Sequence, residues 1–327
     1  MDRANIPVVS LQDFLSDSVN AKNNFIEQVG KGLTDYGFFV LVEHGIDQDL
    51  LNASYQQTRE LFALSEENKK KYEDAMIFRQ RGYTSFGKEH AKDSKLPDLK
   101  EFWHVGREFD KEHPLLNTYP KNFWPTQELP RFRPVMLDFF SRLDQCAMKL
   151  LEACALYLGE SGDLFTNIAK DGDSILRLIH YPPLEKASDY AAKGAIRAAA
   201  HEDINLITLL VEATASGLEL KNRQGEWLAV KANPGEIIVD SGDMIQNITN
   251  GLYKATTHRV VNPDDLSTSG NGSGERYSMP FFMHPRKEAS LNPLQSCISK
   301  VGEKKFPDIS AGDYLSQRLA EIGLKAD

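Results

Sequence analysis

Cysteine is scarce in this chain: three in 327 residues, Cys146, Cys154 and Cys297, with no CxxC spacing. An odd, sparse set argues against a disulfide framework and against a cysteine-based zinc site. Long apolar runs are also missing. No stretch approaches the ~18 residues that a membrane span needs, and no apolar h-region follows Met1, so a cytoplasmic protein without a membrane segment is expected. Positive charge is in deficit, with 38 Lys and Arg against 47 Asp and Glu and a net charge of -9. A nucleic-acid binder would carry a basic stripe. The one short cluster, Lys69-Lys70-Lys71, follows Glu66 and Glu67 and reads as a solvated helix face. No internal repeat is present.

What is present is a globular composition, 41% hydrophobic and 26% charged. That balance supports a packed core rather than disorder, and the length suits one large domain or two small ones. The first half reads as mainly helical. Phe25, Ile26, Val29 and Leu33 recur at helical spacing over 20–33, and a second helix is expected over 47–63. Between them the apolar run 37–42 ends at His44-Gly45 and reads as a strand. Residues 76–130 lack clean periodicity and read as loops with short strands. The longest helix is expected over 131–158, with Cys146 and Cys154 on its apolar stripe and Gly159 as its stop.

From 174 onward the pattern changes to short strands between turn signals. Candidates are 175–181, 205–211, 217–221, 226–230, 236–240, 256–261 and 276–283. This spacing suggests a β-sandwich or jelly roll. The Ser/Gly/Asn-rich stretch Ser267–Gly274 is expected to be an exposed, mobile loop. Its glycines follow no strong strand and open no helix, which argues against a dinucleotide site.

The informative segment is His201-Glu202-Asp203, followed at a distance by His258. Residues i and i+2 of an extended strand share a face, so an imidazole and a carboxylate are presented together. A second imidazole from a distant strand completes two His and one carboxylate with open positions, a set suited to non-haem iron(II). An HxD alone is weak, since a histidine is more often a surface or core residue. The third element, Arg276-Tyr277-Ser278, adds specificity: a guanidinium and a hydroxyl on one face make a carboxylate clamp.

With these motifs in view, the sequence resembles the iron(II)/2-oxoglutarate dioxygenase superfamily, in its isopenicillin N synthase-like branch. Ile6-Pro7-Val8-Val9, Tyr36-Gly37-Phe38-Phe39-Val40 and His44-Gly45-Ile46 resemble the family's N-terminal region. Leu176-Arg177 with Tyr181-Pro182-Pro183 resembles its first core strand. Gly217-Leu218-Glu219-Leu220, Trp227, Pro234-Gly235, Gly242-Asp243, Thr249 through Lys254 and His258-Arg259-Val260 resemble the remainder. The resemblance implies a mainly β fold with flanking α: a distorted double-stranded β-helix (jelly roll) core with a helical N-terminal half. It divides the chain into an N-terminal region (1–125), a support helix and connector (126–170), the catalytic core (171–287) and a helical tail (288–327).

Residue by residue, the resemblance makes His201, Asp203 and His258 the iron ligands. It makes Arg276 and Ser278 the partners of the distal carboxylate of 2-oxoglutarate, with Tyr181 as a further contact. Many relatives carry an Asn two residues before this tyrosine, where Ile179 stands here. The Arg-x-Ser pair also occurs in relatives that use no 2-oxoglutarate. The implied reaction consumes 2-oxoglutarate and O2, releases succinate and CO2, and hydroxylates or desaturates a small organic molecule. Alternatives are an iron oxidase of the same fold and a non-catalytic small-molecule binding protein. Strand alternation puts Phe282 on the face of Arg276 and Ser278, and Phe102 and His104 fall where family substrate pockets draw side chains. A small-molecule partner, no nucleic acid, no membrane and a monomer are expected.

Overall fold

The computed structural model describes residues 6–90, 96–184, 193–222, 224–230, 232–262 and 274–321. The N-terminal part runs β1 (Val8–Ser10), α1 (Leu11–Leu15), α2 (Val19–Lys31), β2 (Phe38–Val42), α3 (Gln48–Ala63), α4 (Glu66–Lys70), β3 (Gly82–Thr84) and β4 (Glu101–Gly106). After α5 (Phe132–Leu158) and α6 (Leu164–Ala169) come β5 (Ile175–Tyr181), β6 (Ala198–His201), β7 (Ile207–Val211), β8 (Leu218–Lys221), β9 (Trp227–Ala229) and β10 (Ile237–Ser241). The chain continues through α7 (Asp243–Ile248), β11 (His258–Val260), β12 (Arg276–Ser278), β13 (Pro280–Met283), α8 (Gln295–Val301) and α9 (Ala311–Glu321). No helix among the described residues is long and apolar enough to cross a membrane.

Among the described residues the strands form two sheets. The larger has the order β1-β2-β10-β7-β13-β5-β4-β3, with β12 also paired to β5. The smaller has the order β6-β11-β8-β9. Among the described residues only the β1–β2 pairing is parallel; β2–β10, β7–β10 and β5–β4 illustrate the antiparallel rest. The protein is thus sheet-rich with flanking helices.

The helices form where apolar periodicity and end signals agree. Ser18 caps α2 by accepting from the Ala21 amide at 3.3 Å. Phe25 and Val29 form the buried stripe of α2, and a Cβ at Gly30 would lie 2.0 Å from the Tyr157 ring of α5. The two helices therefore pack closely only because position 30 has no side chain. α2 runs on into a π-helical turn, Gly32–Tyr36, ended by Gly37 at φ +84°. Gly37 also sits against Thr256 Oγ1, so conformation and space both require glycine there. α5 ends at Gly159 with φ 82°, as its stop signal predicts. Cys146 and Cys154 lie on its buried face as free thiols. Truncating a leucine on that face, such as Leu150, is expected to cost about 2–5 kcal/mol.

Several expectations need correction. The run 276–283 is two strands, because Pro280 supplies no amide to a ladder. The register against β5 is nevertheless unbroken, with Ser278 opposite Ile179 and Phe281 opposite Leu176. The HxD segment is not wholly extended: β6 ends at His201, and Asp203 follows it in irregular backbone. α7 falls between two turn signals and is too short to show periodicity. The stretch 267–273 lies outside the described residues. Gly274 is buried rather than exposed, because its carbonyl accepts from Arg197.

Candidate functional site

The smaller sheet supplies the two histidines. His201 and His258 are directly opposed in the antiparallel β6–β11 pair, with ring centroids 4.4 Å apart. His201 Nδ1 lies 2.7 Å from the Ala199 carbonyl, and His258 Nδ1 lies 3.0 Å from the Thr256 carbonyl. A carbonyl only accepts, so each Nδ1 carries the proton and each Nε2 presents its lone pair. Asp203 Oδ1 lies 4.0 Å from His201 Nε2 and 3.8 Å from His258 Nε2. One ligand atom from each of the three residues lies within 4.8 Å of the others.

Asp203 is held from both ends. Its side chain accepts from Thr208 Oγ1, which in turn accepts from Asn205 Nδ2 at 2.8 Å. Its backbone carbonyl accepts from the Asp243 amide at 2.8 Å, at the start of α7. These contacts replace the strand geometry that sequence spacing suggested. Burial, then the neighbouring His258, pushes the His201 imidazole down to about 4, which keeps it neutral. Burial and the adjacent Asp203 push the Asp240 carboxyl up to about 8. A pre-oriented imidazole pair with a carboxylate fits a divalent iron site, with carbonyls as the outer partners.

Across the cavity the larger sheet supplies the clamp. Arg276 is fully buried. Its Nε donates to the Ala215 carbonyl at 3.1 Å and its Nη1 to Ser278 Oγ at 3.2 Å. Tyr181 stands directly opposite Arg276 in register, and the guanidinium lies 4.9 Å from its ring centroid. Ile179 lines the same inner cavity with an apolar side chain. The structure therefore brings His201, Asp203, His258, Arg276, Ser278, Tyr181 and Phe282 around one space between the sheets.

That space opens into an outer chamber of about 350 Å³ that shares His201, Asp203 and Phe282 with it. Arg177 of β5 borders both. Its guanidinium stacks 4.4 Å from the Phe102 ring centroid and 5.2 Å from that of Phe282. Phe102 is buried, and its ring packs against Arg177. His104 lines the chamber, with Arg177 Nε donating to its Nε2 at 2.7 Å.

Sequence reasoning missed Glu89, Lys100, Arg177 and His284, all of which line the outer chamber. Arg177 falls inside the Leu176-Arg177 motif and Lys100 two residues before Phe102, yet nothing local distinguishes them from surface cations. Glu89 lies in the aperiodic stretch, where no pattern marks a buried carboxylate.

Two family models match the chain: the N-terminal model of non-haem dioxygenase in morphine synthesis over residues 6–127, and the 2OG-Fe(II) oxygenase superfamily over residues 172–285. A curated relative from Aspergillus fumigatus, a 2-oxoglutarate-Fe(II) type oxidoreductase, is 30% identical over 92% of this chain and 87% of its own length. A crystal structure described as a 2OG-Fe(II) oxygenase family protein from Caulobacter crescentus superposes with a TM-score of 0.83 at 37% identity, covering 97% of this chain and 99% of the other. A full-length protein of Neurospora crassa, solved in complex with alpha-KG and thymine, superposes with a TM-score of 0.82 at 27% identity over 98% of each chain.

Proposed function

Because the chain belongs to the 2OG-Fe(II) oxygenase superfamily, we propose that this 2-oxoglutarate-dependent dioxygenase hydroxylates or desaturates a small organic molecule. The observation that carries the reading is one cavity with the His201, Asp203 and His258 ligand atoms on one sheet and the Arg276–Ser278 pair on the other. In this reading the three ligands hold iron(II), and Arg276 and Ser278 grip the distal carboxylate of 2-oxoglutarate beside Tyr181. Iron(II) with 2-oxoglutarate and O2 supplies the oxidising power, with succinate and CO2 released.

The protein's own part is positional. The two carbonyls hold both imidazoles in one tautomer, Thr208 aims the Asp203 carboxylate, and the packed sheets exclude water from the inner cavity. Ile179 adds no polar contact to the co-substrate, so the clamp rests on Arg276, Ser278 and Tyr181. We read the two facing sheets as a distorted double-stranded β-helix over 171–287, with 1–125, 126–170 and 288–327 as flanking regions. The family models' bounds support that division. The thymine complex of the Neurospora crassa relative supports a small molecule as the prime substrate, and Phe282, Phe102 and His104 shape the chamber that receives it, two of them through Arg177.

Anaerobic calorimetry of 2-oxoglutarate on iron(II)-loaded protein, followed by succinate measurement in air, tests the reading. Tight iron-dependent binding and substrate-stimulated succinate release are expected. Full turnover without 2-oxoglutarate would instead make the protein an iron oxidase of the same fold.

A further inference from the structure

Lys100 lines both the inner cavity and the outer chamber, as do His201 and Asp203. Only 4% of it is exposed. Its ammonium lies 2.7 Å from Glu89 Oε1 and 2.8 Å from Asp98 Oδ2. An ammonium carries three N–H donors, so among the described residues these two carboxylates leave one N–H unspent. Burial alone would favour the neutral amine, but Asp98 and Glu89 outweigh it and hold Lys100 charged, above its ordinary range.

The residue is fixed relative to the candidate metal centre. Asp98 Oδ1 accepts from the Ala199 amide at 2.9 Å, and the Ala199 carbonyl lies 2.7 Å from His201 Nδ1. The Leu99 amide donates to the Ile196 carbonyl at 3.1 Å. The run 98–100 is therefore stitched to the segment that ends in His201. The same run leads into β4, where Phe102 stands opposite Ile179. Lys100 thus joins the segment that holds His201 to the strand beside Ile179.

Other donors around the inner cavity are engaged elsewhere. Thr208 donates to Asp203, both histidine Nδ1 atoms meet carbonyls, and Arg276 Nη1 donates to Ser278. Ile179 has no donor to give. A charged N–H beside His201, in a site that packing keeps dry, suits an oxyanion, since charge-assisted hydrogen bonds are the strong ones. Glu89 and Asp98 line the outer chamber and not the inner cavity, so the carboxylates that hold the ammonium do not repel an anion placed there by contact.

Resting on the function proposed above, we propose that Lys100 is a co-substrate-binding residue. Its third N–H donates to the carboxylate of 2-oxoglutarate nearest the three metal ligands, at the end of the molecule away from Arg276. Lys100 thereby supplies a polar contact to a wall in which Ile179 offers none, and Glu89 and Asp98 keep the ammonium charged and in place.

Anaerobic calorimetry of 2-oxoglutarate on iron(II)-loaded protein tests this, with iron(II) affinity measured separately by chelator competition before co-substrate is added. Lys100→Met should weaken 2-oxoglutarate about 10- to 100-fold, the loss of one charge-assisted hydrogen bond, with iron(II) affinity nearly unchanged. Lys100→Arg keeps a cation and should recover part of the loss. Because Lys100→Met leaves Glu89 without its closest cation, the double variant Lys100→Met, Glu89→Gln restores the net charge. It should remain as weak, while Glu89→Gln alone binds 2-oxoglutarate like the wild type. Three results overturn the proposal and leave the oxygenase reading intact: unchanged 2-oxoglutarate affinity without Lys100, full recovery in the double variant, or iron(II) affinity lost in step with 2-oxoglutarate affinity. The last would mean that Lys100 acts through Asp98 and Ala199 on His201. Failure of the wild type to bind 2-oxoglutarate overturns both readings together.

Discussion

Arg177 and His104 lock each other in place: the guanidinium Nε donates to His104 Nε2 at 2.7 Å, so the imidazole proton sits on Nδ1, 3.1 Å from the Arg79 carbonyl. Burial first, then the Arg177 charge, holds His104 well below its ordinary value, and it stays neutral. Arg79 and Phe78 both adopt left-handed backbone, at φ 55° and 51°, a conformation that costs energy for non-glycine residues. The turn that carries the Arg79 carbonyl thus feeds through His104 to Arg177.

His104 is then a positioning residue. His104→Leu leaves Arg177 Nε and the Arg79 carbonyl without a partner. The apparent KM for the prime substrate should rise about 10-fold or more, from a lost charge-assisted bond, with the 2-oxoglutarate requirement nearly unchanged. His104→Gln, which offers an acceptor and a donor, should recover part of the loss. Equal damage from both variants would reduce His104 to packing.

Thr208 should matter to the metal although it does not touch it. Its hydroxyl donates to Asp203 and accepts from Asn205 Nδ2. Thr208→Val keeps the shape and deletes both bonds. Iron(II) affinity, measured by anaerobic competition with a chelator, should fall about 10- to 100-fold. Asp203→Ala should abolish turnover outright. Unchanged affinity in Thr208→Val would mean that Asp203 is aimed by its backbone contacts alone.

Arg276→Ala should raise the 2-oxoglutarate concentration needed for half-maximal rate by about 10- to 100-fold, because a charge-assisted bond to a carboxylate is lost. Arg276→Lys should restore only part, since an ammonium lacks the paired donors. A lysine variant that matches the wild type would show that charge alone suffices at this position.

The sequence made the framework legible where period and punctuation agree. α5 was readable from its apolar stripe and Gly159, and β5 from its apolar character ahead of Pro182-Pro183. Phe282 could be phased with Arg276 because Pro280 interrupts the ladder without shifting its register. His201 and Asp203 were readable as a pair, but for an incomplete reason: β6 stops between them, and Thr208 and the Asp243 amide do the aiming. Glu89, Lys100 and Arg177 were illegible as a cluster. Their proximity exists only once β4 pairs with β5 and Glu89, from the stretch between β3 and β4, meets Lys100 and Arg177. A charged residue in an aperiodic stretch looks the same in sequence whether solvent or a buried cation awaits it.

His284 links stability to pH in a direction that can be worked out. Burial pushes its imidazole down to about 4 from an ordinary value near 6.5, the nearby Asp173 and Asp203 offsetting only part of this. The folded state therefore binds fewer protons than the unfolded state between those two values. Stability rises with pH wherever the unfolded state holds more protons. The neutral His284 is tolerated without penalty above about pH 6.5, and its contribution is lost progressively as pH falls toward 4. In that window one such group changes stability by about 1.4 kcal/mol per pH unit. His258 is shifted the opposite way, because Asp203 and Asp240 outweigh its burial, so the total slope alone is not diagnostic. The difference between wild type and His284→Phe is. Denaturant midpoints of the metal-free proteins at pH 7.0, 6.0 and 5.0 should diverge, with the wild type losing stability faster on acidification. Parallel curves would place the His284 proton in contact with solvent, and with it the chamber wall that this residue forms.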